Sequence, residues 1–343
     1  KYMNKIIEQD CREILRRVDV KKARNKKILV TGANGFLGQY IVSLFSFANK
    51  ELVLDCKIDT VSLSTANKVV SSLMEEDKNI SYKRIDLSKT FKLEGYDYIF
   101  HAAGYGQPAK FIGDPLSLVK INVDATVRLL EASPKATFVF FSSAEIYGDI
   151  PLKKIPVSED FNGNCFLHTP RSVYAEAKRL CEALCAAHKR KYGVNAKIVR
   201  ISHVYGPGLP LEDKRVMSEF IQKASVGKGI KLLDKGKAVK TYGYIADVIA
   251  MILFVAFEGK DMVYNVGGND SLSILDLAKK IAKYFKTKVE VPKDFSRLSH
   301  IGKEPSVVKL DLNKIKREMK KIKPTKFSEG LTRTIEWAVG GNN

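Results

Sequence analysis

Residues 27–38, Lys-Ile-Leu-Val-Thr-Gly-Ala-Asn-Gly-Phe-Leu-Gly, run an apolar strand straight into three glycines. A helical pattern follows at once, with Ile41, Val42, Leu44 and Phe45 apolar. Gly32 permits the tight turn, Gly35 lets the backbone approach a pyrophosphate, and Gly38 lets the helix pack close to the sheet. The helix N-terminus then turns free N–H groups and the positive end of its dipole toward the phosphates. The strand before and the helix after separate this run from an ordinary glycine loop and point to a dinucleotide site.

A second constellation adds chemistry to binding. Thr137 to Phe141 reads as a buried parallel strand and ends in Ser142-Ser143-Ala144-Glu145-Ile146-Tyr147-Gly148. Tyr174-Ala-Glu-Ala-Lys178 opens a helical pattern that runs to about Lys191. Tyrosine and lysine four apart share a helix face. The spacing predicts that the Lys178 ammonium lowers the pKa of the Tyr174 phenol, and a positively charged nicotinamide nearby would lower it further. Tyr174 is then a base for a sugar hydroxyl, and Ser143 can hydrogen-bond the same hydroxyl.

At these residues the chain resembles the extended short-chain dehydrogenase/reductase family of nucleotide-sugar epimerases, dehydratases and decarboxylases, over about residues 25–338. The motifs stand in the family's order: Thr31 to Gly38, His101-Ala-Ala-Gly104, Asn122, Ser142 to Gly148, Tyr174-x-x-x-Lys178, Arg200-Ile-Ser-His-Val-Tyr-Gly-Pro207 and Tyr244-Ile-Ala-Asp247. Within it, Pro170-Arg-Ser-Val-Tyr-Ala-Glu-Ala-Lys178 and Arg215-Val-Met-Ser-Glu-Phe-Ile221 are most similar to segments of UDP-glucuronate decarboxylases. Those enzymes carry Thr-Ser-Glu where this chain has Ser143-Ala144-Glu145, so Ala144 is a departure. Glu145 argues against simple 4-epimerisation, and Ala144 argues against standard 4,6-dehydration, which uses an Asp there.

The resemblance implies an α/β fold, a doubly wound parallel Rossmann sheet with a smaller C-terminal substrate-binding portion. It implies catalysis by Ser143, Glu145, Tyr174 and Lys178 through a 4-keto sugar. The cofactor would be held by Gly32, Asn34, Gly35, Phe36, Leu37, Gly38, Ala102, Ala103, Gly104, Asn122, Tyr174 and Lys178, with Asp86 and Leu87 by the adenine. Ser143, Arg215 and Lys240 would bind a nucleotide-diphosphate sugar, Arg171 is a further candidate, and Tyr147 shapes the floor. The helices 114–132 and 174–191 imply a homodimer. Internal hydride recycling implies NAD. NAD enzymes, however, set an Asp or Glu at the end of the second strand, and this chain has Ser62-Leu-Ser64-Thr65 with Lys68 beyond. Either Ser64 substitutes and the cofactor is NAD, or Lys68 receives a 2′-phosphate and it is NADP.

The remaining expectations concern organisation. Residues 1–26 form a helical extension, 27–205 the Rossmann domain, and 206–338 the substrate portion, where glycine, proline and loops dominate. That portion returns to the sheet near 242–247 and 263–267. Strands are expected at 60–63, 82–85, 98–102 and 197–201. No apolar run reaches the roughly 18 residues of a membrane span, and residues 1–27 lack a secretory apolar core. Five cysteines without a Cys-x-x-Cys pair, with Cys181 and Cys185 as packing residues, fit a reducing cytoplasm. The histidines show no metal-ligand spacing. A net charge of +20 reads as a solvated, lysine-rich surface, with long-range attraction of anions such as nucleotide sugars as the functional alternative. The lysines are dispersed apart from a patch at 314–326, and no nucleic-acid motif accompanies them.

Overall fold

The computed structural model describes residues 3–212, 215–292, 307–320 and 322–340. The chain opens with helix α1 (Lys5–Arg17), then strand β1 (Lys27–Thr31), helix α2 (Phe36–Leu52), β2 (Lys57–Ser62), α3 (Lys68–Glu76), β3 (Ile80–Arg84) and β4 (Tyr98–His101). Short helices α4 (Pro108–Gly113) and α5 (Pro115–Val119) lead into α6 (Ala125–Ala132), β5 (Thr137–Ser143), α7 (Ser172–Tyr192) and β6 (Asn195–Ile201). Then come β7 (His203–Tyr205), α8 (Val216–Ser225), β8 (Ile230–Lys231), β9 (Val239–Tyr244), α9 (Ile245–Phe257) and β10 (Val263–Val266). The described residues close with β11 (Asp270–Ser273), α10 (Ile274–Phe285), β12 (Val289–Glu290), β13 (Val307–Val308), α11 (Asn313–Glu318) and α12 (Phe327–Val339).

Seven strands form one wholly parallel sheet in the order β10-β6-β5-β4-β1-β2-β3. The order reverses between β1 and β4, so a crevice opens beyond their carboxyl ends. A parallel sheet is covered on both faces, which is why its central strands are continuously apolar. Ile28, Leu29 and Val30 are fully buried, as are Val139 and Phe140. Helix α9 is buried along all of its residues and apolar nearly all round, as a helix enclosed by protein must be.

Several expectations need correction. Segment 242–247 does not rejoin the large sheet. β9 pairs with β7, β11 and β13 in a second sheet, and its chain then turns into α9, while β10 alone returns to the edge of the large sheet beside β6. The region beyond Gly206 is not loop-dominated, since it holds helices α8 to α12. The expected helix 114–132 is interrupted by a wide π turn over Lys120–Asp124, where the Asn122 side chain donates to the Leu118 carbonyl at 2.9 Å. β2 and β3 begin earlier than expected because pairing with β1 recruits Lys57 and Asp59 into β2, and pairing with β2 recruits Ile80 and Ser81 into β3.

Helix α1 is fastened to four other elements. Its buried Asp10 accepts hydrogen bonds from Tyr40 of α2, Tyr244 of β9 at 2.7 Å and Arg333 of α12 at 2.7 Å. Arg17 pairs with Asp247 at the start of α9. The five cysteines are free, and Cys181 and Cys185 are wholly buried in the core on one side of the sheet. Among the described residues, no helix is long and apolar enough to cross a membrane and no cluster could hold a metal ion.

Candidate active site

The glycine turn closes over the carboxyl end of β1. Gly32 has φ +71°, and a Cβ there would stand 2.8 Å from the backbone of Ala103, so both conformation and space demand glycine. A Cβ on Gly38 would lie 2.2 Å from the Gly32 carbonyl oxygen, which instead accepts from Gly35 N–H at 2.8 Å. Helix α2 therefore begins against the turn, with its first N–H groups facing the crevice. The opposite wall is Ala102, Ala103 and Gly104, and Ala103 N–H is held by the Thr31 hydroxyl at 3.2 Å. Phe36 and Leu37 open α2, and Leu87 is buried nearby in sequence to Asp86, whose carboxylate is taken by the Ser88 amide and hydroxyl.

Asn34 is committed to the protein. Its Nδ2 donates to the Ser64 hydroxyl at 2.8 Å, the Thr65 carbonyl at 2.7 Å and the Tyr82 hydroxyl at 3.1 Å, which fixes the loop after β2. Ser64 itself is exposed at the surface of that loop.

Ser143, Tyr174 and Lys178 come together at the ends of β5 and α7. The Ser143 hydroxyl hydrogen-bonds the Tyr174 phenol and accepts from Glu145 N–H at 3.2 Å. Lys178 extends its ammonium to the Phe141 carbonyl at 2.8 Å, 4.7 Å from the centre of the Phe140 ring. Burial lowers the Lys178 ammonium to about 8. Burial, with the Glu145 charge beside it, also pushes the Tyr174 phenol up to about 12, against the lowering influence of Ser143, Arg171 and Arg215. The expected depression by Lys178 is thus overturned. The ammonium stands 5.9 Å from the Tyr174 ring centre and points to a carbonyl, and desolvation dominates.

Around this pair lie buried polar atoms with no protein partner. Asn122 Oδ1 is one, and it borders the same space as Gly104 and Lys178 Nζ. His101 Nε2 is another. Its Nδ1 pairs with the Thr31 hydroxyl at 2.7 Å, and burial followed by the Lys178 charge lowers this imidazole to about 3, which keeps it neutral. The glycine cradle and the unfilled acceptor beside Lys178 fit a dinucleotide whose nicotinamide ribose reaches Asn122 and Lys178.

The sugar side of the crevice is charged. Arg171 Nη2 donates to Glu145 Oε1 at 2.6 Å, with the arginine side chain only 10% exposed. Arg215, at the N-cap of α8, bears electrostatically on Tyr174, as Arg171 does. Lys240 lies buried on β9, in register with Leu272 of β11 and Val308 of β13. Tyr147 donates to Asn265 at 2.6 Å and receives Arg200 at 3.0 Å, so its hydroxyl is committed to the protein. One neighbour was not anticipated. Phe111 of α4 stacks on Tyr174 with ring centres 4.7 Å apart and planes 15° apart, in a small apolar cluster of its own with Leu118. Its only signal in the sequence is an aromatic residue directly after Gln107-Pro-Ala-Lys110.

Comparisons with known proteins address the family and the fold. The profile of the NAD dependent epimerase/dehydratase family matches residues 28–267. UDP-glucuronic acid decarboxylase 1 of Xenopus tropicalis is 26% identical over 314 residues, which is 91% of this chain and 72% of that protein. UDP-glucuronic acid decarboxylase 6 of Arabidopsis thaliana is 27% identical over 310 residues, covering 90% and 87%. Among solved structures, the dTDP-glucose 4,6-dehydratase of Streptomyces venezuelae with NAD bound superimposes with a TM-score of 0.78 at 23% identity, covering 92% of this chain and 98% of that one. A UDP-glucuronic acid 4-epimerase from Bacillus cereus gives 0.77 at 23% identity, covering 91% and 98%.

Proposed function

From the premise that the chain belongs to the NAD dependent epimerase/dehydratase family, we propose that it oxidises a nucleotide-diphosphate sugar at C4 and acts as a UDP-glucuronate decarboxylase. The observation that carries this reading is the charge around Tyr174. Two arginines, Arg171 and Arg215, bear on the phenol that touches Ser143 against one carboxylate, Glu145, which is paired with Arg171; the balance is positive, and a sugar with a C6 carboxylate is the substrate such a pocket suits. The curated relatives that act on UDP-glucuronic acid support it.

NAD, when bound, supplies a hydride acceptor at C4 and later the donor that returns it. Tyr174 takes the proton of the C4 hydroxyl, and Ser143 holds that hydroxyl in line. Lys178 fixes the ribose and the chain around Phe141. The C4 ketone is β to the carboxylate, so the bond from C5 to C6 breaks, carbon dioxide leaves, and C5 receives a proton. Glu145 orients the sugar with Ser143. Arg171 holds Glu145 and aligns the carboxylate. Arg215 and Lys240 pair with the diphosphate, Lys240 as a point charge without a bidentate fork. Residues 27–205 carry the dinucleotide, and 206–338 carry the sugar nucleotide. A homodimer would cover Leu116 and Leu180, which are 76% and 49% exposed on α5 and α7, and light scattering tests it.

Ala144 favours a second reading. Its buried methyl stands where the decarboxylases carry a hydroxyl, so 4-epimerisation of the same uronate, or 4,6-dehydration of a neutral hexose, is the alternative. Incubation with UDP-glucuronate and either NAD or NADP, followed by proton NMR, separates these outcomes. A UDP-pentose lacking C6 supports decarboxylation. An epimeric uronate refutes it in favour of epimerisation. Untouched UDP-glucuronate refutes both and directs the search to UDP-, GDP- and TDP-hexoses.

A further inference from the structure

The crevice is complete for a dinucleotide at its pyrophosphate end and unusual at its adenosine-ribose end. β2 stops at Ser62, and Leu63-Ser-Thr-Ala-Asn-Lys68 contains no carboxylate. A carboxylate at that position accepts from the ribose 2′-hydroxyl and repels a 2′-phosphate. Its absence removes both effects. The loop is nonetheless firmly built, with Asn34 bound to Ser64 and Thr65, and the Tyr82 hydroxyl donating to the Ser64 carbonyl at 2.6 Å.

One cation lies beside the end of β2, and a second follows in the chain. Arg84 is the register partner of Ser62 on the neighbouring strand β3. Its Nε donates to the Leu63 carbonyl at 3.0 Å, which sets the guanidinium over this loop. Arg84 is exposed, and among the described residues it forms no ion pair with a carboxylate. Lys68, also exposed, opens α3. The nearest carboxylates in sequence are engaged elsewhere. Asp59 accepts from Ser81 at 2.7 Å and Tyr96 at 2.9 Å, and Asp86 from Ser88.

We propose that this end of the site accepts a 2′-phosphate, so that the protein binds NADP at least as tightly as NAD, with Arg84 as the principal phosphate ligand and Lys68 as a second cation. The inference rests on the dinucleotide reading of the glycine turn. Arginine suits the task because its forked donors match phosphate oxygens, and an exposed pair of this kind weakens with salt.

The test is calorimetric titration of the full chain, freed of any co-purified nucleotide, with NAD and separately with NADP. The expected result is an NADP dissociation constant equal to or below that of NAD. Arg84→Ala should weaken NADP about tenfold, as befits one charge-assisted contact, and change NAD less than about twofold. Arg84→Lys should recover part of the loss, because it keeps the charge without the fork. NAD binding more than about tenfold tighter than NADP, or equal losses for both in Arg84→Ala, overturns the inference and leaves the dinucleotide site standing. Binding of neither nucleotide overturns the dinucleotide reading itself.

Discussion

Replacing Gly38 by alanine should cripple dinucleotide binding while leaving the fold recognisable. The added Cβ would lie 2.2 Å from the Gly32 carbonyl oxygen and 2.8 Å from its carbon. Ordinary contact begins at 3.4 Å, so turn and helix must part by 3.4 − 2.2 = 1.2 Å along that line. Neither side can yield freely. Gly32 is pinned from behind by its N–H on the Val61 carbonyl at 2.7 Å and by Ala103 against its α-carbon. Helix α2 is locked by Ile41, Leu44 and Phe45, all fully buried. Forced overpacking of this kind costs about 1–3 kcal/mol, and if it falls on the phosphate cradle the dissociation constant rises about ten- to hundredfold. The hydrogen bond from Gly35 to Gly32 would be lost with the shift. Calorimetric titration with NAD reads the affinity, and thermal unfolding reads the fold. Gly113→Ala is the control, because its Cβ meets nothing within 4 Å. A Gly38→Ala protein that binds like the wild type and melts at the same temperature would refute the reasoning.

Tyr174→Phe keeps the ring stacked on Phe111 but removes the hydroxyl, so turnover should fall at least about 100-fold with NAD affinity unchanged in titration; undiminished turnover removes Tyr174 from its role. Phe111→Leu keeps the site apolar and loses the planar stack, and kcat should drop about three- to tenfold with NAD binding intact; an unchanged kcat would show that the stack does not orient the phenol. Burial pushes Asp10 up to about 6 from 3.8, so the native state keeps a proton there that the unfolded chain has released. The stability this group contributes is fully present below about pH 3.8 and is lost as pH rises through about 6. Asp10→Asn should therefore flatten the change in melting temperature across that window, and an unaltered slope would exclude Asp10 as its source.

What the sequence disclosed is chemistry that neighbours in the chain enforce. Gly32, Gly35 and Gly38 are read together because one turn needs all three, and Tyr174 and Lys178 because one helix face holds both. What it concealed depends on distant partners. The run Val239 to Tyr244 carries no pattern that prefers one sheet to the other, and only pairing with β7, β11 and β13 decides which one takes it. The wide turn at Lys120–Asp124 turns on one amide, since the bond from Asn122 to Leu118 leaves the apolar pattern of 114–132 unaltered. Arg84 beside Leu63, Phe111 on Tyr174 and Arg171 on Glu145 are all contacts across 15 or more residues that no local period encodes.

The acidity of Tyr174 shows most plainly why spacing alone misleads. Helical spacing put a cation beside a phenol and predicted an easier phenolate. The fold buries both, and burial opposes charge on each: the phenol rises to about 12 and the ammonium falls to about 8. The groups that do ease the phenolate are Ser143, Arg171 and Arg215, none of them on the helical turn that carries Lys178. A uronate seated against the arginines would spend part of their charge on its own carboxylate. The base would then depend on the Ser143 hydrogen bond and on positive charge arriving with the dinucleotide beside Lys178. A phenol so governed is a poor base in the empty crevice and a competent one only when the crevice is filled, which protects a buried ionisable pair from the full cost of standing charged without partners.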